Sequence, residues 1–210
     1  MAKERYEGTL GGLYRRNEIF LILSTVIFLS SLLIGYALAG LLEQLMGVAL
    51  NNMKRQISQG ELKLTTLSIF MNNFKVAIIL YGGGVVFGVV TAFFLIFNGL
   101  FIGYAAAQFH LGDFLIYTIP HGVFEIVGII IAGAAGFRLA NGVLDLVKGL
   151  RHIQTDISLK NQLVYLWEVN VDEFKDSLLL FVIALFLIFI GAVVEANITV
   201  AWGTYIKSII

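Results

Sequence analysis

Apolar positions along this chain gather into blocks too long for a helix of an ordinary globular core, with short polar punctuation between them. From Ile19 to Leu42 only Ser, Thr, Gly and Tyr interrupt the aliphatic and Phe side chains. At about 1.5 Å per residue such a block exceeds the roughly 30 Å hydrocarbon layer of a bilayer, so it predicts a spanning helix. A second block, Phe74 to Phe109, carries Lys75 as its sole charge. Its roughly 36 residues would make a helix of about 54 Å, too long for one crossing. Asn98-Gly99 tolerates turn geometry and predicts a break or re-entrant point there. Pro120 suits a first helical turn, where its missing N–H goes unnoticed, and opens a fourth block.

The expected spans are thus about 19–42, 73–97, 100–116, 120–137 and 178–196, with soluble or interfacial segments at 43–72 and 138–177. Within those segments, Leu41–Ile57 and Val143–Ile157 space their apolar residues as amphipathic surface helices do. The pattern predicts an all-α, polytopic transmembrane bundle of about five spans, forming a single domain over residues 1–210.

Composition agrees with the pattern. The chain is 59% hydrophobic and 13% charged, with a mean hydropathy of +0.89. A soluble domain has about 25% charged residues, so the displacement is in the direction a bilayer requires. Fourteen basic residues balance fourteen acidic ones, leaving no electrostatic footprint for nucleic acid. Without cysteine there are no disulfides, thiolate metal sites or cysteine nucleophiles. Lysine and arginine favour residues 1–18 and 138–177 over the other polar segments, nine against five. That bias predicts a multi-pass cell-membrane protein with a cytoplasmic N-terminus.

Small residues recur four apart at Gly84 and Gly88, Gly99 and Gly103, and Ala132 and Gly136. In a bilayer such pairs let helix backbones approach closely, and here they are expected to serve packing and a homo-oligomer. Ionisable groups at depth each cost roughly 2.5–3.5 kcal/mol on the insertion scale and need a partner or a task. His121 and Glu125 lie one helical turn apart on one face. The expected topology delivers Glu195, Asn72 and Asn73 to the same end of the bundle, with Asn98 apart from them. Three readings of that cluster stay open. It is a structural hydrogen-bond network, or a site or pathway for a cation or small solute, or a Zn²⁺ or other divalent site built from His121, Glu125 and Glu195. The last would make an intramembrane metal-dependent hydrolase, although the spacing is not the His-Glu-x-x-His of a known zinc hydrolase class.

Five short motifs, in order, carry a family likeness. They are "NNF" at 72–74, "NGLFIG" at 98–103, "PHGVFEI" at 120–126, "AGAAGFRLA" at 132–140 and "VEANIT" at 194–199. Across about residues 60–200 the chain resembles the stage II sporulation protein M family. The resemblance implies a five-span membrane protein, and by position it carries over to Asn72, Asn73, Asn98, Gly99, His121, Gly122, Glu125 and Glu195. In endospore formers it implies work beside a second membrane protein and a cell-wall hydrolase, localising that machinery rather than performing the hydrolysis. The partners expected are therefore the lipid bilayer, further copies of the chain, and other membrane proteins or a cell-envelope enzyme. The expected role is a non-enzymatic scaffold or transport-related unit with no certain cofactor.

Overall fold

A computed structural model describes residues 10–60, 65–152 and 158–209. The basic residues Lys3, Arg5 and Lys63, and the 153–157 portion of the expected second surface helix, lie outside them. Among the described residues there are seven α-helices and no strand: α1 Leu10–Ala37, α2 Ala39–Ser58, α3 Thr66–Gly82, α4 Val89–Ala107, α5 Leu111–Leu150, α6 Leu159–Asn197 and α7 Thr199–Ile209. Five are long and apolar enough to cross a membrane: α1, α3 with the short turn that follows it, α4, α5 and α6.

Their packing follows from which positions are small. At Gly99 an added Cβ would press on the Phe28 carbonyl and Ser31, and at Gly103 on the Leu32 carbonyl. Both numbers rise together, so α1 and α4 run parallel in close contact. Gly136 of α5 faces the Leu80 carbonyl of α3, and Gly84 faces the Gly136 carbonyl. The pair α5 and α6 forms the largest interface and is antiparallel, since Ser177 Oγ donates to the Ala135 carbonyl at 3.0 Å while Gly128 packs on Ile188. Phe28, Ala77, Leu80, Leu95, Ile129, Ala132, Ala184 and Ile188 meet at the centre, at least one from each spanning helix.

Outward, Leu33, Phe93 and Phe186 are each more than 60% exposed, and many other Leu, Ile and Val side chains lie bare beside them. A continuous apolar exterior of this extent belongs against lipid tails. The protein is a multi-pass membrane protein in contact with lipid.

Several helix boundaries differ from the sequence-based expectation. Asn98-Gly99 does not break a helix: α4 runs through it, Asn98 Nδ2 donates to the Phe94 carbonyl at 2.7 Å, and Gly99 serves the α1 contact. The break falls at a 3₁₀ turn over Gly83–Val86, followed by Phe87 (φ 59°) and Gly88 (φ 78°) in the left-handed region. Thr91 Oγ1 closes the turn by donating to the Leu80 carbonyl at 2.7 Å. The span expected at 73–97 is therefore two helices, and that expected at 100–116 combines the end of α4 with the start of α5.

Pro120 lies inside α5 rather than opening it. It removes one hydrogen bond from a helix whose packed neighbours hold it, which spanning helices tolerate. The first span stops at Ala37, where Leu38 (φ −107°, ψ 24°) turns the chain into α2, which covers the surface helix expected over 41–57. The stretch expected as interfacial at 138–177 continues α5 and α6 as a helical hairpin beyond the apolar region. Charge hid it from an apolar-block reading, because ion pairs hold it together.

Candidate functional site: a polar cluster at the α3–α5–α6–α7 end

Glu125 and His121 sit one turn apart on α5, and α6 reaches the same level from the opposite direction at Glu195. One donor atom each from His121, Glu125 and Glu195 lies within 4.8 Å of the other two, and all three residues are partly buried. Gly191, one turn before Glu195, makes room: a Cβ there would collide with the Glu125 side chain.

Two further helices complete the surroundings. From α3, Asn73 Nδ2 donates to Glu125 Oε1 at 2.8 Å. From the first turn of α7, the buried Thr199 hydroxyl lies 3.1 Å from His121 Nδ1 and donates to the Val194 carbonyl at 3.4 Å. A hydroxyl has one proton to give. With that proton turned to Val194, its oxygen can accept from His121 Nδ1–H, the tautomer that frees Nε2. Neither Glu125 nor Glu195 belongs to an ion pair among the described residues. Among the described residues, the cluster therefore gathers two carboxyls and one basic nitrogen with no Lys or Arg ion pair to neutralise them.

The other sequence-derived candidates fall elsewhere. Asn72 is exposed on α3, one position away from the face that Asn73 presents. Asn98 is on α4, bonded to its own helix. Gly84, Gly99, Gly103 and Gly136 lie at the interhelical contacts described above, and Gly88 occupies the turn against Phe137 of α5. Each of these glycines meets another helix of the same chain. Thr199 closes the "VEANIT" stretch but was not expected in the cluster; a hydroxyl two residues past the end of α6 was its signal.

A second polar level was also missed. Asp176 of α6, 8% exposed at its side chain, accepts from Arg16 Nε and Nη2 at 2.7 and 2.8 Å and from Asn17 Nδ2 at 3.2 Å. Arg138 of α5 pairs with Glu173 at 3.0 Å and lies 3.7 Å from Asp176. The signal was present in Glu173 and Asp176, three apart on one helical face. From His121 to Arg138 along α5 is about 25 Å, and from Glu195 to Asp176 along α6 about 28 Å. These separations match one hydrocarbon thickness.

On another face of α5 lies a half-open apolar groove of about 510 Å³ between α1, α4 and α5, walled by Leu33, Ile102, Ile119 and Ile126. Its walls offer space for a lipid tail and nothing to recognise a polar group.

Comparison with known proteins gives the family. The model of "Stage II sporulation protein M" matches residues 24–200, most of the chain and all of the cluster. The chain belongs to this family. Within it, an uncharacterized protein of Methanocaldococcus jannaschii, MJ0793, is 30% identical over 149 residues, covering 66% of this chain and 73% of the relative. A second uncharacterized protein of that organism, MJ0706, is 23% identical over 194 residues, covering 88% and 83%. No solved structure matches. Stage II sporulation protein M membership and five apolar helices agree on a multi-pass membrane protein.

Proposed function

We propose that this chain is a non-enzymatic membrane protein, a scaffold or transport-related unit, whose working part is the His121–Glu125–Glu195 cluster, and that the cluster takes up a cation or small polar solute. The observation that carries this reading is the pair of carboxyls brought together beside an imidazole, with no Lys or Arg ion pair to offset them among the described residues. A purely structural network in an apolar medium would be expected to pair each acid with a base or with a full set of donors. The Glu195 side chain makes no hydrogen bond among the described residues, so part of the cluster is unused by the fold.

The test is thermal unfolding of purified protein in nanodiscs, with and without added cations, for wild type, Glu125→Gln and Glu195→Gln. Uptake predicts a melting temperature that rises with cation concentration in wild type and not in either variant. A structural network instead predicts no cation dependence in wild type and a lower melting temperature in both variants. If the site lines a path, ion flux into liposomes falls in the same two variants.

A further inference from the structure

We infer that the ligand is a divalent transition-metal ion of the Zn²⁺ class, held by His121 Nε2 and one oxygen each of Glu125 and Glu195, with Thr199 and Asn73 orienting two of those ligands. The inference rests on the cation reading above and names its chemistry.

The argument starts from charge. Two carboxyls in a low-dielectric setting are held either by protons or by positive charge at short range, and no Lys or Arg ion pair supplies that charge among the described residues. One divalent ion would balance both. Donor type then narrows the choice. Mg²⁺ and Ca²⁺ favour sites of oxygen ligands, whereas an imidazole nitrogen with carboxylate oxygens suits Zn²⁺ and its neighbours.

The surroundings supply what such ligands need. A metal-bound imidazole donates its other N–H to an oxygen that fixes tautomer and ring orientation, and ligating carboxylates are themselves hydrogen-bonded. In the tautomer with the proton on Nδ1, Thr199 accepts from His121, and Asn73 donates to Glu125 Oε1. The lone pairs of Nε2 and Glu125 Oε2, and both Glu195 oxygens, are left for the ion.

Tetrahedral bonds of about 2.0–2.2 Å place donors about 3.3–3.6 Å apart. Donors now within 4.8 Å of one another would each close by no more than about 1.5 Å, a movement two Glu side chains can make by rotation. Three protein ligands leave a fourth position for water. Occupancy would also join α7 to the α5–α6 pair, because Thr199 stands in the first turn of α7.

The experiment uses full-length protein in nanodiscs, stripped with chelator and titrated with Co²⁺ and Zn²⁺, with Mg²⁺ and Ca²⁺ as competitors. One equivalent of Co²⁺ should give visible d–d absorption that Zn²⁺ displaces and millimolar Mg²⁺ or Ca²⁺ does not. His121→Ala and Glu195→Gln should abolish it. Thr199→Val should weaken it by about 10–100-fold, as loss of a group orienting a ligand does. X-ray absorption of the wild-type Zn²⁺ complex should show a single imidazole, a readout that needs no variant to fold. Binding that His121→Ala leaves intact and Ca²⁺ displaces would overturn this inference while leaving the cation reading in place. Absence of binding by any of the four ions, with no change in melting temperature, would overturn both.

Discussion

Asp176 shows how much one side chain holds at the Arg138 end of the bundle. It accepts from Arg16 of α1 and from Asn17, and sits within ion-pair range of Arg138 of α5. Removing one partner of a buried ion pair costs about 3–5 kcal/mol, because the other charges stay buried without it. Arg16 is 40% exposed and can turn to water, so Asp176→Asn is expected to cost about 3 kcal/mol, the low end of that range. Lys175, one residue away, pairs with Asp172 in the open, both side chains being mostly exposed. Lys175→Ala should change stability by less than about 0.5 kcal/mol. Unfolding of the two variants in mild detergent compares these directly; equal effects would mean that the Asp176 network is solvated. On α7, the Asp113 carboxylate 2.7 Å away raises the Lys207 ammonium above its ordinary pKa, but that pair is exposed and weak.

At the scale of elements, the turn between α3 and α4 offers a sharper test. Phe87 adopts φ 59°, where a side chain with a Cβ pays roughly 1–2 kcal/mol that glycine avoids. Its ring is 53% exposed, so little packing is lost on removing it. Phe87→Gly should therefore raise stability by about 1 kcal/mol, and Gly88→Ala (φ 78°) should lower it by a similar amount. The α1–α4 contact makes a second comparison. Gly103→Leu would drive a side chain into the Leu32 carbonyl and is expected to abolish folded protein on size-exclusion chromatography. Gly82→Ala meets nothing within 4 Å and should be neutral or slightly stabilising.

The helices themselves were largely legible, because lipid exposure demands long apolar runs and those runs stand out in any sequence. His121, Glu125, Glu195 and Asn73 were legible too, as polar residues where hydrocarbon discourages them. Boundaries were not. Asn98-Gly99 carries a turn signal that tertiary packing overrides, since its glycine admits another backbone rather than a bend. The break falls instead at residues 83–88, where Gly84 also makes the close helix contact expected of it, so the packing signal masked the turn. Thr199 and the Asp176 network were hidden for a different reason. Each depends on a helix end arriving beside a residue far away in the chain, and spacing along one helix does not reveal that.

At the scale of the whole molecule, the two polar levels bracket an apolar layer about one bilayer thick. The absence of native cysteine makes this directly measurable. Single cysteines at Lys175 and Lys207 should be labelled by impermeant reagents from opposite faces of sealed vesicles. The basic bias of residues 1–18 and 138–177 predicts that Lys175 is the one labelled from the cytoplasmic face. Labelling of both from one face would refute the five-crossing arrangement.

The helical hairpin formed by the outer parts of α5 and α6 has a mechanical consequence. Both helices run without interruption from that hairpin to the level of Glu125 and Glu195, so they behave as a pair of stiff rods pinned near Arg138 and Asp176. About 20 Å separates the pin from Glu125, so a tilt of about 5° displaces that carboxyl by roughly 2 Å. A tilt imposed on the hairpin is therefore felt, at full amplitude, around Glu125.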